Sequence, residues 1–167
     1  LLESGFTRLI GPNCAGLACS WSDLHCSMEM YPDEKGSISM VSQSGSLCSA
    51  FTSNLKARGC GLSKYISVGN KLDLGVSDLV TYLGDDPETN CIALYLEDLP
   101  DGKHFVEAAR AASLKKPIIA LKAGGTQAGA RATLSHTGAL SGKDAVVDGA
   151  LRQAGVLRAH TLEQLYD

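Results

Sequence analysis

The stretch SISMVSQSGSL, residues 37–47, joins a short apolar run to a turn of small polar residues and then to an amphipathic segment. The run at 37–41 is apolar enough for a buried strand. Leu47, Phe51 and Leu55 follow at helical spacing. The stretch therefore predicts a strand, a tight turn and a helix, which is the opening unit of an α/β domain.

The same pattern repeats along the rest of the chain. Gly59 and Gly155 stand where helices should end, and Pro117 precedes a strand. Five units in a row predict a flavodoxin-like α/β fold: a five-stranded parallel sheet with helices on both faces. The predicted strands are 37–41, 64–68, 91–96, 118–122 and 156–159, and the further helical stripes are Val76/Leu79/Val80/Leu83, Phe105/Ala108/Ala109/Ala112 and Val147/Ala150/Leu151/Ala154.

The first 35 residues lack this regularity. Residues 1–5 resemble a helix tail closed by glycine, 6–10 a short strand, and 11–35 a connector with Pro, Gly and Ser but no periodicity. We expect 1–35 to be the tail of an upstream domain plus a connector, and 36–167 to be the flavodoxin-like domain. The chain, which does not begin with Met, is then part of a larger protein.

Composition narrows the class of partner. The 167 residues carry 15 Lys+Arg against 18 Asp+Glu, a formal charge of −3, without a basic block. This argues against nucleic acid or an anionic membrane as the main partner. The apolar runs are far shorter than the roughly 20 residues that span a bilayer, so a cytoplasmic protein is expected. The six cysteines form no CxxC pair and indicate ordinary reduced thiols rather than a metal site.

Small polar residues follow the predicted strands. SQSGS follows the first at 42–46, GNKLD the second at 69–73, and Glu97 the third. Ligands of such sheets bind at the carboxyl ends of the strands, near the point where strand order reverses. Residues 42–46 have the composition of a phosphate cradle at a helix N-terminus. The alternative is an ordinary helix start with Ser44 as its N-cap.

His136 lies in the long loop after the fourth strand, between small residues. A lone loop histidine is commonly a surface residue. Here the fold places it beside the cradle and beside Glu97, whose carboxylate could fix the ring tautomer and leave the other nitrogen as a nucleophile. No HxxH or HExxH pair indicates a metal. Hydrolase chemistry is disfavoured because Ser44 lacks the Gly-x-Ser-x-Gly setting.

Taken together, the motifs resemble the α-type portion of the NDP-forming acyl-CoA synthetase superfamily, which includes succinyl-CoA synthetase and the ADP-forming acetate–CoA ligases. The matching strings occur in the family's order across nearly all of the chain, which makes the set specific although each string alone is weak. They are GPNCAG at 11–16, VSQSGSL at 41–47, SVGNKLD at 67–73, DDPET at 85–89, LYLE at 94–97, and AGAR through SHTGAL over 128–140.

The resemblance implies a mechanism. In this family a loop histidine carries phosphate between a nucleotide site and an acyl-CoA site, and His136 occupies that position. A glutamate at the end of a central strand steadies the phosphohistidine, and here it is Glu97. The phosphate rests on a helix N-terminus after a Ser-x-Ser-Gly turn, which assigns phosphate binding to Ser42, Ser44 and Gly45.

The resemblance also implies substrates and partners. Asn13, Cys14 and Asn70 inherit positions near the acyl end of the substrate. The whole enzyme would use CoA and Mg-dependent ATP/ADP as substrates, together with a carboxylic acid and phosphate; no resident metal or prosthetic group is expected in this chain. A CoA-binding Rossmann-like domain, of which 1–35 would hold the tail, and an ATP-grasp domain or subunit would complete a hetero- or homo-oligomer. Alone, the chain is expected to be inactive.

Ser135-His136-Thr137-Gly138 and the Ser-Gln-Ser-Gly turn are similar to the acetate-type, ADP-forming branch rather than to the succinate type. One alternative is a regulatory, CoA-sensing module of a protein acetyltransferase, in which the histidine is typically lost. A second is a plain flavodoxin-like domain that binds FMN, which the scarcity of aromatic residues at the strand ends disfavours.

Overall fold

The computed structural model describes residues 5, 7–28, 34–124 and 144–167. Within them, alternating strands and helices follow the order that the repeating pattern predicts from residue 36 onward. The strands are β1 Gly16–Cys19, β2 Leu24–Ser27, β3 Lys35–Ser42, β4 Leu62–Ser67, β5 Cys91–Leu96, β6 Ile118–Lys122 and β7 Leu157–Ala159; the helices are α1 Gly45–Ala57, α2 Val76–Asp85, α3 Gly102–Ser113, α4 Asp144–Gln153 and α5 Leu162–Tyr166.

The strands form one sheet in the order β2-β1-β4-β3-β5-β6-β7. From β4 to β7 the pairing is parallel, whereas β1 lies antiparallel to both β2 and β4. The five parallel strands have the 2-1-3-4-5 order of flavodoxin-like sheets. The prediction of an α/β fold with a mostly parallel sheet and flanking helices is therefore confirmed.

The predicted number of five strands is wrong, because the described residues form seven. The two additional strands, β1 and β2, lie within 11–35, where we expected a connector. Each has four residues, too few to show an alternation of apolar and polar side chains. The two strands form a hairpin, and β1 pairs with the open edge of β4. The predicted strand at 6–10 is also wrong over the described residues 7–10. There the Leu9 N–H bonds to the Asp73 carboxylate at 2.7 Å instead of to a neighbouring strand.

Side chains alternate between two cores, one on each face of the sheet. Ile92, Leu94 and Leu96 pack with residues of α2, α3 and α4, whereas Ala93 between them packs on the face covered by α1 and α5. Because β5 is apolar on both faces, helices must cover both. In the described parts of the chain no helix has the length and apolar character needed to cross a membrane. All six cysteines are free thiols, with Cys48 buried in α1.

A buried ion pair joins β4 to the end of α2, at the opposite edge of the sheet from the carboxyl ends. Lys64 Nζ lies 2.7 Å from an Asp86 carboxylate oxygen and 2.8 Å from Glu88, and the Lys64 and Asp86 side chains are only 8% and 6% exposed. Asp86 also accepts a hydrogen bond from Thr89, which in turn pairs with Ser39 at 2.7 Å. Burial would raise the pKa of Asp86, but the hydrogen bonds from Lys64 and Thr89 outweigh it and hold that pKa below its usual value.

We expect Asp86→Ala to lower the free energy of unfolding by about 3 kcal/mol, because it leaves the buried Lys64 ammonium with the half-exposed Glu88 as its remaining carboxylate. Denaturant titration would measure the loss. Asp85→Ala is the matched control. The Asp85 carboxylate pairs with Lys115 at the exposed surface, so its removal should change the free energy of unfolding little. If the two substitutions lowered the free energy of unfolding equally, the buried Lys64–Asp86 pair would not have the stabilising role assigned to it.

The same pair predicts an acid-sensitive contribution to stability. Since the folded pKa of Asp86 is depressed, its contribution is complete above the unfolded pKa of about 3.9 and disappears as pH falls through the lower folded pKa. The difference in unfolding free energy between the wild type and Asp86→Asn should therefore be constant near neutrality and shrink below about pH 4. If the difference in unfolding free energy grew on acidification, the predicted depression of the Asp86 pKa would be contradicted.

Candidate anion-binding site at the carboxyl ends of the strands

An open cleft of about 620 Å³ lies at the carboxyl ends of β3, β4 and β5. The chain places β4 on one side of β3 and β5 on the other, so the cleft opens where strand order reverses. Its lining comes from three strand-end loops, from the segment before β1 and from Met28 just after β2. The residues are Asn13, Cys14, Ala15, Met28, Gln43, Ser44, Gly45, Ser46, Gly69, Asn70, Lys71, Glu97 and Asp98.

The N-terminus of α1 forms one wall of this cleft. Ser44 occupies the N-cap position, yet its side chain makes no capping hydrogen bond, and the first turn of the helix has no acidic residue. The Ser44 hydroxyl instead lies 3.2 Å from that of Ser46. The thirteen-residue helix therefore presents its positive dipole end to the cleft with no acidic residue in its own first turn, which favours an anion there.

Ser42 lies beneath this turn rather than on the cleft wall. Its buried hydroxyl accepts the Ser44 N–H at 3.0 Å and donates to the Ser44 carbonyl at 2.7 Å. The structure thus places Ser44 and Gly45 of the predicted phosphate cradle at the cleft, whereas Ser42 shapes the turn that carries them.

Gln43 joins the turn to the end of β5, a role that the sequence analysis missed. Its side-chain carbonyl accepts the backbone N–H groups of Glu97 and, at 3.0 Å, of Asp98. Its amide nitrogen donates to an Asp98 carboxylate oxygen at 2.5 Å. Glu97, 9% exposed, is held at the cleft by these bonds to its backbone.

Lys71 was missed in the same way, although it lies inside the GNKLD motif. Its Nζ contacts Asp98 Oδ1 at 2.7 Å, and the two side chains are only 15% and 23% exposed. The signal that could have identified it was its position between Asn70 and Asp73 at a strand end. The sequence position alone did not reveal the direction of the Lys71 side chain. That direction depends on the left-handed backbone conformation of Lys71, whose φ is +55°.

The segment before β1 closes the cleft from the side. The Asn13 amide donates to the Asn70 side-chain oxygen at 3.4 Å, and the Asn70 N–H donates to the Pro12 carbonyl at 2.9 Å. Cys14 is half-buried in the cleft wall. The three residues predicted to be near the substrate, Asn13, Cys14 and Asn70, are therefore brought together.

Lys122 ends β6, the next strand along the sheet, and is buried. Burial lowers the pKa of its ammonium group, with the nearby Asp144 and Asp98 carboxylates acting in the opposite direction. Its Nζ donates to the Ala123 carbonyl at 2.5 Å. His136, the predicted phosphate carrier, lies outside the described residues. Within the described ranges, no three His, Cys, Asp or Glu side chains cluster as metal ligands.

Fold and cleft together define a doubly wound, flavodoxin-like α/β domain with a candidate anion site at its switch point. Residues 35–167 match the family model described as the succinyl-CoA ligase like flavodoxin domain. The chain belongs to this family, within the NDP-forming acyl-CoA synthetases that its motifs resemble.

Similar proteins carry ADP-forming ligase names. The acetate–CoA ligase [ADP-forming] of Methanocaldococcus jannaschii is 42% identical over 160 residues, which cover 96% of this chain and 23% of that protein. Subunit alpha of acetate–CoA ligase [ADP-forming] II from Pyrococcus furiosus is 42% identical over 158 residues, covering 95% of this chain and 34% of the subunit. The chain thus spans about a quarter to a third of these relatives.

A solved structure is similar over nearly the whole chain. It is the dinucleotide-forming acetyl-coenzyme A synthetase 1 of Ca. Korarchaeum cryptofilum, solved in complex with phosphate and ADP, with a TM-score of 0.91 and 37% identity. The match covers 98% of this chain and 36% of the other.

Gly69, in the loop after β4, packs directly against the segment before β1. Its φ is +54°, and an added Cβ would collide with the carbonyl oxygens of Pro12 and Asn13. We expect Gly69→Ala to destabilise the protein by roughly 3 kcal/mol or more, since backbone strain and steric overlap add. It should also speed alkylation of Cys14, followed by peptide mass spectrometry, because the segment is displaced.

Gly59→Ala is the matched control. Gly59 also has a left-handed φ, +69°, but nothing lies within 4 Å of an added Cβ. It should cost only about 1 kcal/mol and leave Cys14 reactivity unchanged. If both variants were equally stable with unaltered Cys14 labelling, the close packing at Gly69 would not hold residues 11–15 in place.

Proposed function

We propose that this chain is the phosphate-transfer domain of an ADP-forming acyl-CoA synthetase. The observation that carries the proposal is the joining, in one cleft, of the uncapped α1 N-terminus with Glu97, in a chain whose relatives are ADP-forming CoA ligases. The overall reaction is acyl-CoA + ADP + phosphate ⇌ carboxylate + CoA + ATP.

His136 is the phosphate carrier in this proposal. Phosphate displaces CoA from acyl-CoA to form acyl phosphate; an imidazole nitrogen of His136 then takes the phosphoryl group and releases the carboxylate; ADP finally takes the phosphoryl group to give ATP and free His136. Splitting the transfer into these steps lets one nucleophile serve two sites that need not be adjacent.

The α1 N-terminus receives the phosphoryl group. The helix that begins at Gly45 supplies the backbone N–H groups of its first turn and the helix dipole. The Ser44 N–H is already bonded to the Ser42 hydroxyl, which keeps the turn in shape. Position 45 requires glycine for steric reasons, because an added Cβ would lie 2.8 Å from the Ala15 side chain. A bare backbone at this point therefore both accommodates the segment before β1 and leaves room for an anion.

Glu97 steadies the phosphohistidine by accepting a hydrogen bond from the N–H of the ring nitrogen that is not phosphorylated. For this role its carboxylate must have a fixed direction. The two hydrogen bonds from the 97–98 backbone to Gln43 supply that rigidity, because they tie the end of β5 to the turn that holds the phosphate.

The acyl end of the substrate lies on the side of Asn13, Cys14 and Asn70, whose amides and thiol line the part of the cleft formed by the segment before β1 and the loop after β4. CoA, ATP/ADP and the acid are substrates of the whole enzyme. A CoA-binding domain and an ATP-grasp domain or subunit supply what this chain lacks, so we propose that the isolated chain does not complete the reaction. The relatives' ligase names do not favour the CoA-sensing alternative.

The experiment is labelling of the complete synthetase with [γ-³²P]ATP. The wild type should acquire acid-labile, base-stable phosphate on His136, and His136→Asn should lose both the label and turnover, since asparagine offers no nucleophilic nitrogen. His160→Asn is the control, because His160 is exposed just after β7 and does not line the cleft. Normal turnover in His136→Asn would rule out the phosphohistidine route.

A further inference from the structure

We propose that Lys71 is the cation that receives the carboxylate of the acid substrate, and that Asp98 holds it in place while the cleft is empty. The inference rests on the proposed function and adds a specificity-determining residue to it. It is argued from the direction of the Lys71 side chain, its hydrogen-bonding capacity and the charge of the cleft.

The backbone directs Lys71 into the cleft. The residue has φ +55°, a left-handed conformation that costs a non-glycine residue about 1–2 kcal/mol. The turn is fastened on both sides of it, by the Asn70 N–H to the Pro12 carbonyl and by the Leu72 N–H to the Gly11 carbonyl, each at 2.9 Å. A lysine that would ordinarily extend into solvent is thereby folded inward, with 15% of its side chain exposed.

Lys71 retains capacity for a ligand. An ammonium group has three N–H donors, and among the described residues its Nζ has one hydrogen-bond partner, Asp98 Oδ1 at 2.7 Å. That oxygen also accepts from the Gln43 amide at 2.5 Å. Asp98 therefore stays hydrogen-bonded if Lys71 turns toward a ligand, so the exchange leaves no orphaned carboxylate.

Charge selects the ligand. Of the described residues that line the cleft, Glu97 and Asp98 are carboxylates and Lys71 is the one cation. Phosphoryl transfer between acid and histidine requires a phosphoryl group and a carboxylate side by side. The α1 N-terminus provides the site for the phosphoryl group. The substrate carboxylate needs a positive charge close by, because the Glu97 and Asp98 carboxylates of the cleft would otherwise repel it. Lys71 supplies a compact charge of that kind.

Three variants of the complete synthetase test the inference, with acetate as the probe. Lys71→Met keeps the length of the side chain and removes the charge. It should raise the KM for acetate roughly 10- to 100-fold, the loss of one charge-assisted hydrogen bond. The KM for CoA and phosphoenzyme formation from ATP, which needs no acetate, should not change. Lys103→Met, at an exposed position of α3, is the matched control.

Asp98→Asn supplies an effect of opposite sign. It removes the charge that competes for Lys71 but keeps an oxygen for Gln43, so the KM for acetate should fall or stay level. A purely structural ion pair would instead make Lys71→Met and Asp98→Asn change the KM in the same direction.

The inference is overturned if Lys71→Met leaves the KM for acetate unchanged, if both variants raise it alike, or if Lys71→Met abolishes phosphoenzyme formation while Lys103→Met does not. The last result would assign Lys71 to the phosphate or to the fold. Failure of the proposed function is seen separately, as a wild-type synthetase that forms no phosphoenzyme.

Discussion

Parallel pairing of β3 with β4 on one side and β5 on the other is the constraint on which the rest of the structure depends. Val41 lies in register with Ile66 on one side and with Leu94 on the other. Three strands in parallel must release their following loops at one edge, and because β3 is central, the first turn meets the loops of both neighbours. The cleft, the α1 N-terminus and Glu97 follow from this arrangement.

Side-chain hydrogen bonds then convert adjacency into a defined site. Gln43 reaches across from the β3 turn and binds the backbone at 97–98, while Lys71 from the β4 loop meets Asp98. Each loop is thus fastened to the next by a polar side chain shielded from most solvent, where such bonds are less weakened by competition with water. At the other end of the sheet the buried Lys64–Asp86 ion pair joins β4 to the end of α2. One end of the sheet therefore carries a buried ion pair and the other carries the candidate anion-binding cleft.

The strands of the parallel sheet were predictable because their composition alone identifies them. Residues 91–96 are apolar throughout and 118–122 are apolar up to Lys122, and the structure gives β5 and β6 the same limits. β1 and β2 were not predictable: four-residue segments such as LHCS are exposed or half-exposed and become strands only because β4 offers them an edge. For the site, the small residues of the β3 turn and Glu97 could be placed from topology alone. The bonds of Gln43 and Lys71 could not, since they depend on where long side chains turn.

By itself, the sequence determined the alternation of buried strands and amphipathic helices, the edge at which Ser44, Gly45, Asn70 and Glu97 would gather, and the family that the motifs identify. These depend on local periodicity and on the handedness of βα units, which short segments of chain encode. Only the tertiary structure decided that the hairpin of β1 and β2 joins the sheet, that the segment 13–15 lines the cleft, and that Lys71 points inward. All three depend on contacts between segments far apart in the chain, such as the Asn70 N–H with the Pro12 carbonyl, for which no local pattern exists.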